Sequence, residues 1–526
     1  MKERAHLFYD KAWKWMKLWL VRYGSPAKAA AVGILLITIM ALFVPPYIGM
    51  ADNGDYFRSL YSNGLYFNTP NYDSYYFGYF VKEYGIFQYF NENGGRLFTS
   101  QTLFLKLSLW INMLFDTVTF DIRVQAAVFT LLYTIAIYLL VEAITWKLPV
   151  RYGYPIAALS VFIFADTGYT AYFNSFFGES IVLIMMLFVL ASALLLYRKR
   201  YNDYALLAVF FVSAVLLTTS KQQNAPVGII ISLAGIFLIF IRKQKQFRVL
   251  VATALAGLML TSVATYTLIP KEFVNINKYH AMTRGILLHS DNPEQALSHF
   301  GINPQYAILS ESNYYELYTT VDVNSPVLEE HFYKQYGFAS ILGFYLNNPA
   351  KAIGMLNLAA TSAFQIRPPA MGNYEISAGK PFGAQTSFFS GYSLFKASVA
   401  PKTFGFILIW MVLVIGLYLP SFISAIRRRD RRGALYLPVI VTFILMGLSG
   451  IMVSIIGAGD ADLAKHEFVF TAAFDIVTFL LVSDLIHRSL WKAPSPSSTI
   501  TEPAIQVLEP TGTVVSMSAK VINHNA

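Results

Sequence analysis

Residues 99–116, TSQTLFLKLSLWINMLFD, decide the topology of this chain. They are apolar enough to be taken for a membrane span, and everything downstream depends on whether they cross. Counting outward from them, apolar runs lie at 29–48, 122–146, 154–172, 180–197, 203–219, 226–241, 248–269, 403–425, 434–456 and 467–486. Each is close to the roughly 20 residues that cross about 30 Å of hydrocarbon. With these ten spans alone, every second crossing returns to a basic segment. First come Lys2, Arg4, Lys11, Lys14, Lys17, Arg22 and Lys28, then Lys147 and Arg151, then Arg198, Lys199 and Arg200. Arg242, Lys243, Lys245 and Arg248 follow, then Arg427, Arg428, Arg429, Arg431 and Arg432, and finally His487, Arg488 and Lys492. Making 99–116 a span would put Arg198–Arg200 and Arg242–Arg248 on the wrong side. It is therefore expected to be an amphipathic helix on the outer surface. Basic loops face the cytoplasm, so both termini are expected inside a cell membrane that the chain crosses many times.

Composition agrees. The 526 residues are 56% hydrophobic and only 13% charged, against about 45–50% and about 25% in soluble domains. The net charge of +10 sits in short clusters between apolar runs, which sets topology and gives no reason to expect a nucleic-acid partner. The absence of cysteine excludes disulfides, thiolate metal sites and cysteine nucleophiles. The fold class expected is all-α membrane, a polytopic bundle of about ten transmembrane helices spanning 29–486. Two long outer loops interrupt it. The first, 49–121, should be partly helical. The second, 270–402, lies between the seventh and eighth spans and should hold a helix near 328–364.

Residues 1–28 interleave Trp13, Trp15 and Trp19 with Lys11, Lys14 and Lys17. This mixture suits a basic amphipathic segment on the cytoplasmic interface, in contact with membrane lipids. No small-residue cleavage site follows the first apolar run, so a removed signal is not expected. The polar, Pro/Ser-rich tail within 487–526 is expected to be disordered and cytoplasmic. No internal repeat is evident.

The unusual polar residues cluster at the outer ends of the spans. Ala51-Asp52-Asn53-Gly54-Asp55-Tyr56 follows the first span; its two carboxylates could serve as a base or simply cap a turn. Asp166 ends the third span, in Phe164-Ala165-Asp166-Thr167-Gly168-Tyr169, where an ionisable group needs a cavity or a partner. Glu179, in Phe176-Phe177-Gly178-Glu179-Ser180, opens the fourth and could equally be a helix cap. Lys221 and Gln222 lie in Thr218–Asn224 against the charge bias; the lysine could hold a lipid phosphate or merely snorkel. Arg284 is a further cation near the boundary. Gly459-Asp460-Ala461-Asp462-Leu463-Ala464-Lys465-His466 ends the ninth span, and its Asp-x-Asp pair suggests oxygen ligands for a divalent cation such as Mg or Mn. Acids for base or metal work and cations for phosphate, drawn from separate loops to one face, are what transfer from a phosphorylated lipid needs. No Walker A loop and no His-Glu-x-x-His motif is present, which argues against ATP drive and a zinc protease.

Across 29–486 these segments resemble the GT-C superfamily of integral-membrane glycosyltransferases, and more narrowly the bacterial enzymes of S-layer and cell-surface glycan assembly, rhamnosyltransferases among them. The resemblance rests on the acidic first loop with Asp52 and Asp55, on Asp166 and Phe-Phe-Gly-Glu179-Ser, and on the Asp460–His466 segment. It implies inverting transfer of a sugar, from a polyprenyl-phosphate donor to a glycan or lipid-linked acceptor, at the extracytoplasmic face. Asp52 or Asp55 would be the catalytic base. Asp166, Glu179, Lys221, Gln222, Arg284, Lys465 and His466 would bind donor or acceptor, and Asp460 and Asp462 a metal where one is used. The alternatives are a flippase or polymerase of lipid-linked saccharides, a nucleotide-sugar-dependent rhamnosyltransferase, and a non-catalytic membrane scaffold.

Overall fold

The computed structural model describes residues 24–92, 99–316, 318–488 and 490. The expectations for the N-terminal amphipathic stretch before residue 24 and for the tail from 491 fall outside these residues. All ten expected apolar runs are helices: α1 (Pro26–Phe43), α2 (Ile122–Thr145), α3 (Val150–Phe164), α4 (Glu179–Arg198), α5 (Asp203–Thr218), α6 (Ala225–Ala234), α7 (Lys245–Thr267), α8 (Phe404–Arg427), α9 (Tyr436–Ala458) and α10 (Phe468–Ile486). Eight are long and apolar enough to cross a membrane, α6 by continuing past Gly235 as Ile236–Ile239. α3 reaches that length only with Thr167–Asn174, across a bend of 48°. α5 has 16 residues, about 24 Å at 1.5 Å per residue. The architecture is an all-α polytopic membrane bundle.

Several boundaries moved for local reasons. α1 starts at Pro26, behind the Ser25 cap, and ends at Phe43 instead of residue 48. Pro45 and Pro46 cannot donate to a continuing helix. The expected straight span 154–172 breaks at Asp166, whose carboxylate accepts from Gly168 N and starts a new short helix. Residues 99–116 form the helix Ser100–Asn112, which is not among the candidate spans. It turns Thr102, Leu105, Ser108 and Asn112 inward and leaves Leu103, Leu107 and Trp110 exposed.

α4 is the centre of the bundle, with 94% of its apolar window buried, whereas α8, with 22%, is peripheral. Lipid offers these side chains as apolar a setting as the bundle does, so close packing must hold the helices together. Gly447 shows how. A Cβ there would sit 3.2 Å from the Ala473 Cβ and from the Phe470 ring, so its absence lets α9 lie directly on α10. These two helices carry the Asp460–His466 loop between them.

The basic loops gather at one end, and their arginines do more than orient the chain. Asp203 is buried and receives both Arg242 at 2.6 Å and Arg432 at 2.8 Å. Arg200 pairs with Glu142 at 2.9 Å and lies over the Trp146 ring at 3.6 Å. Such ties join α2, α5, α7 and α8 through their loops and satisfy helix-end carbonyls. Sequence reading gave these residues topology alone.

The opposite end carries the two long loops. The first holds the helix Tyr56–Ser62, the helix Ser100–Asn112 and a small antiparallel sheet of β1 (Leu65–Tyr66), β2 (Glu83–Ile86) and β3 (Thr119–Asp121). In the second loop the single helix expected near 328–364 is three: Pro326–His331, Phe338–Asn347 and Pro349–Ser362. Gly337 separates the first two and Pro349 starts the third. These pack around Tyr279, Phe332, Tyr333 and Phe344 as a second apolar core. The last part of that loop, helix Gly391–Val399, docks onto the bundle. Lys396 pairs with Asp475 of α10 at 2.7 Å, and Tyr392 and Tyr169 both donate to the same carboxylate. An aspartate at that depth is costly unless partnered, and here it has three partners.

Candidate functional site

The turn Asp52-Asn53-Gly54-Asp55 leaves the end of α1 in an extended segment. Gly54 sits at φ +97°, a conformation open to glycine at little cost. The turn closes because one oxygen of Asp52 accepts from Gly54 N at 2.8 Å and from Tyr56 N at 3.1 Å. This starts the helix Tyr56–Ser62 and fixes which carboxylate faces where. Asp52 is 3% exposed and lies below the surface, its second oxygen without a hydrogen-bond partner. Asp55, three residues on, reaches an open cleft.

That cleft is a cavity of about 170 Å³ at the ends of the helices opposite the basic loops. Asp55, Arg58, Lys221, Lys465, Gln101 and Phe177 are among the residues on its wall. Lys465 is buried and pairs with Asp55. It also lies 3.5 Å from Asp462 and over the Phe177 ring at 4.6 Å. Arg58 approaches the other oxygen of Asp55 at 3.3 Å and stacks on Phe273. On the far wall Lys221 pairs with the buried Glu179. Gln222 lines the cavity, as does His466, whose Nδ1 lies 2.8 Å from Gln223 Oε1. Three cations, one accessible carboxylate, neutral amides and phenyl faces thus meet in one hollow at the membrane boundary.

Electrostatics separates the two aspartates. Burial raises the Asp52 carboxyl to about 7, against the pull of its two backbone hydrogen bonds. Burial also pushes Asp55 up, but Lys465 and Arg58 outweigh it and hold this carboxyl well below the usual carboxylate range. Lys465 in turn is pulled down by burial and lifted further by Asp55, Asp462 and Glu179, so it stays charged. Burial, with Lys465 and Lys221 nearby, lowers His466 to about 3, which makes it a neutral imidazole at physiological pH. Burial raises Asp462.

The structure therefore brings together Asp55, Lys465, Lys221, Glu179, Gln222 and His466, and leaves other candidates elsewhere. Asp166 is buried, accepting from Gly168 N at 2.7 Å and Ser393 N at 2.9 Å. It pins the second outer loop to the bend after α3. Arg284 forms a two-pronged pair with Asp460 at 2.7 and 3.1 Å. The contact is close because Gly459 meets Gly285, where a Cβ would lie 2.5 Å from Gly285 N. Asp462 turns the other way, taking Asn53 Nδ2 at 2.8 Å. The Asp-x-Asp pair is thus divided between two cations, and among the described residues no group of three or more acidic, His or Cys side chains could hold a metal ion. Sequence reading passed over Arg58, Gln101, Phe273 and Asn277. Of these only Arg58 left a trace, being one helical turn after Asp55.

A family model for the YfdI N-terminal transmembrane domain matches residues 12–502. The chain belongs to the YfdI N-terminal transmembrane domain family. No curated protein matches it, and no solved structure does. As a member of this family it is a multi-pass membrane protein, and the matched region takes in all ten helices and both long loops.

Asp52 and Asp55 respond differently to substitution. Asp52→Asn keeps the oxygen that accepts from Gly54 and Tyr56 and removes a buried carboxyl that resists ionising. Its raised pKa means the folded chain holds the proton from about pH 4 to about pH 7 while the unfolded chain releases it. Wild-type stability therefore falls as pH rises through that window. The variant should match wild type at pH 4 and exceed it at pH 8 by a few kcal/mol, on the order of 1.4 kcal/mol per pH unit crossed. Thermal unfolding in detergent at the two pH values checks this.

Proposed function

We propose that this protein is a membrane glycosyltransferase of GT-C type that moves a sugar from a polyprenyl-phosphate donor to a glycan or lipid-linked acceptor at the extracytoplasmic face. The observation that carries the reading is Asp55 in the boundary cavity, held between Lys465 and Arg58 and facing Lys221. Membership of the YfdI family and the resemblance to GT-C enzymes support it. In this reading the acceptor hydroxyl attacks the anomeric carbon on the face opposite the phosphate. The new C–O bond forms as the bond to the phosphate oxygen breaks, and polyprenyl phosphate departs with the electron pair. The hydroxyl proton passes to Asp55.

The apparent weakness of such an acidic base has a physical answer. A donor phosphodiester competes with Asp55 for Lys465 and Arg58, and with Glu179 for Lys221. Once these cations turn to the phosphate, the burial of Asp55 is less opposed and its proton affinity rises, towards the range where general bases work. The same cations stabilise charge developing on the leaving phosphate. Phe177 and Phe273 offer apolar faces to a pyranose, and Gln101, Gln222 and Asn277 offer neutral donors and acceptors to its hydroxyls.

The test is incubation of the purified protein in lipid nanodiscs with polyprenyl-phosphate hexoses, with nucleotide sugars as the rival donors. Product is identified by mass spectrometry. Transfer from the lipid-linked donors alone is expected. Transfer from nucleotide sugars alone would overturn the donor assignment. Movement of labelled lipid across liposomes with no new linkage would point to a flippase.

A further inference from the structure

Arg367 is buried, lies outside the cavity and has no carboxylate within ion-pair distance among the described residues. A guanidinium in such a place is costly unless its donors are satisfied. Three neutral acceptors engage one N–H on each of its nitrogens: Asn373 Oδ1 at 2.9 Å, the Thr386 carbonyl at 2.7 Å and Gln385 Oε1 at 3.1 Å. Asn373 is fully buried and passes the constraint on. Its Nδ2 donates to the Gly49 carbonyl at 2.8 Å, and its own carbonyl accepts from Gly49 N at 3.0 Å. Next to it the Gly372 carbonyl accepts from Ala51 N at 2.9 Å, and Ile48 bridges to Tyr374. Residues 48–51 thus run as an extended segment bonded along 372–374 and lead straight into Asp52-Asn53-Gly54-Asp55. Gly372 admits no side chain, since a Cβ would meet the Gly78 carbonyl oxygen at 2.0 Å. Beyond this segment, Phe77 N donates to the Asp52 carbonyl, and Gly372 N donates to the Phe77 carbonyl, both at 2.7 Å.

We infer that Arg367 and Asn373 are positioning residues for the acidic turn: the buried guanidinium orients the Asn373 amide, the amide fixes the extended segment before Asp52, and that segment sets Asp55 against Lys465. The inference rests on the reading of Asp55 as the base. Neither residue touches the cavity. Their effect is on where the reacting carboxylate stands, and a misplacement of about 1 Å can cost about 10²-fold in rate.

Asn373→Asp separates positioning from folding. The new carboxylate still accepts from Arg367, now as an ion pair, but it has no donor for the Gly49 carbonyl. Three measurements are made on full-length protein in nanodiscs: thermal unfolding, hydrogen–deuterium exchange over 47–56, and release of polyprenyl phosphate from a radiolabelled polyprenyl-phosphate hexose. The unfolding temperature should be retained, exchange at 49–51 should rise, and kcat should fall about 100-fold with donor KM nearly unchanged. Arg367→Lys keeps the charge but cannot reach all three acceptors, and it should reproduce the exchange and kcat changes. It serves where Asn373→Asp does not fold. Wild-type kcat in these variants, beside an inactive Asp55→Asn, would overturn the positioning role, as would unchanged exchange over 49–51. Full activity in Asp55→Asn would overturn the reading of Asp55 itself, and this inference with it.

Discussion

Asp55→Asn is expected to lower transfer by about 10²–10⁴-fold, the range that a general base supplies, while leaving the fold intact. The reason for both halves is the position of the side chain. Asp55 is 34% exposed on the cavity wall, so its loss leaves no sealed void, and solvent discounts the electrostatic cost of removing it. Asparagine keeps the shape but cannot take the acceptor proton. It also releases Lys465 and Arg58 from their strongest competitor for phosphate, so donor KM should hold or fall as kcat collapses. A loss confined to kcat marks an interaction made in the transition state. Steady-state kinetics with a polyprenyl-phosphate hexose, together with thermal unfolding, reads both. Normal turnover would remove Asp55 from the chemistry.

Lys465→Met should act on the opposite parameter. Methionine fills the buried stem against Phe177 and deletes the ammonium that meets Asp55 and Asp462. Truncating one partner of a buried charge pair commonly costs 2–5 kcal/mol in binding, so donor KM should rise on the order of 10²-fold. A second consequence follows from the sign of the Asp55 shift. Burial raises that carboxyl and Lys465 is the largest influence lowering it. Without the lysine, Asp55 takes up its proton at a higher pH. The wild-type protein should show no loss of kcat/KM from Asp55 on acidification through the ordinary carboxylate range, whereas the variant should lose activity there. A pH–rate profile that stays flat in both, with unchanged KM, would remove Lys465 from donor binding.

Asp55→Asn, set beside Asp52→Asn, distinguishes the two aspartates that the resemblance leaves interchangeable. Asp52 and Asp55 lie three residues apart in one short turn after α1. The hydrogen bonds from Gly54 N and Tyr56 N turn Asp52 under the backbone and leave Asp55 on the wall. A three-residue spacing cannot say which of two acids a turn will bury, because that depends on the extended segment 48–51 and on what it lies against.

The sequence by itself determined the membrane class, the ten helices and the grouping of basic loops at one end, with Ser100–Asn112 kept out of the spans. These follow from local properties: apolar runs of bilayer length and the alternation of charge between them. Of its candidates Asp55, Lys221, Gln222, Lys465 and His466 line the cavity, all standing near helix ends on one side. Only the tertiary structure decided that Asp166 anchors a loop, that Arg284 takes Asp460 away from Asp462, and that Arg58 and Gln101 join the wall. Only it showed that the arginines of the basic end clamp buried carboxylates, and that Arg367 is linked through Asn373 to the segment before the acidic turn. Several of these pairings join residues hundreds of positions apart, Asp55 with Lys465, Asp166 with Ser393 and Asp203 with Arg432 among them. A buried charge takes whichever partner the packing of distant helices brings within reach, and no local spacing encodes that.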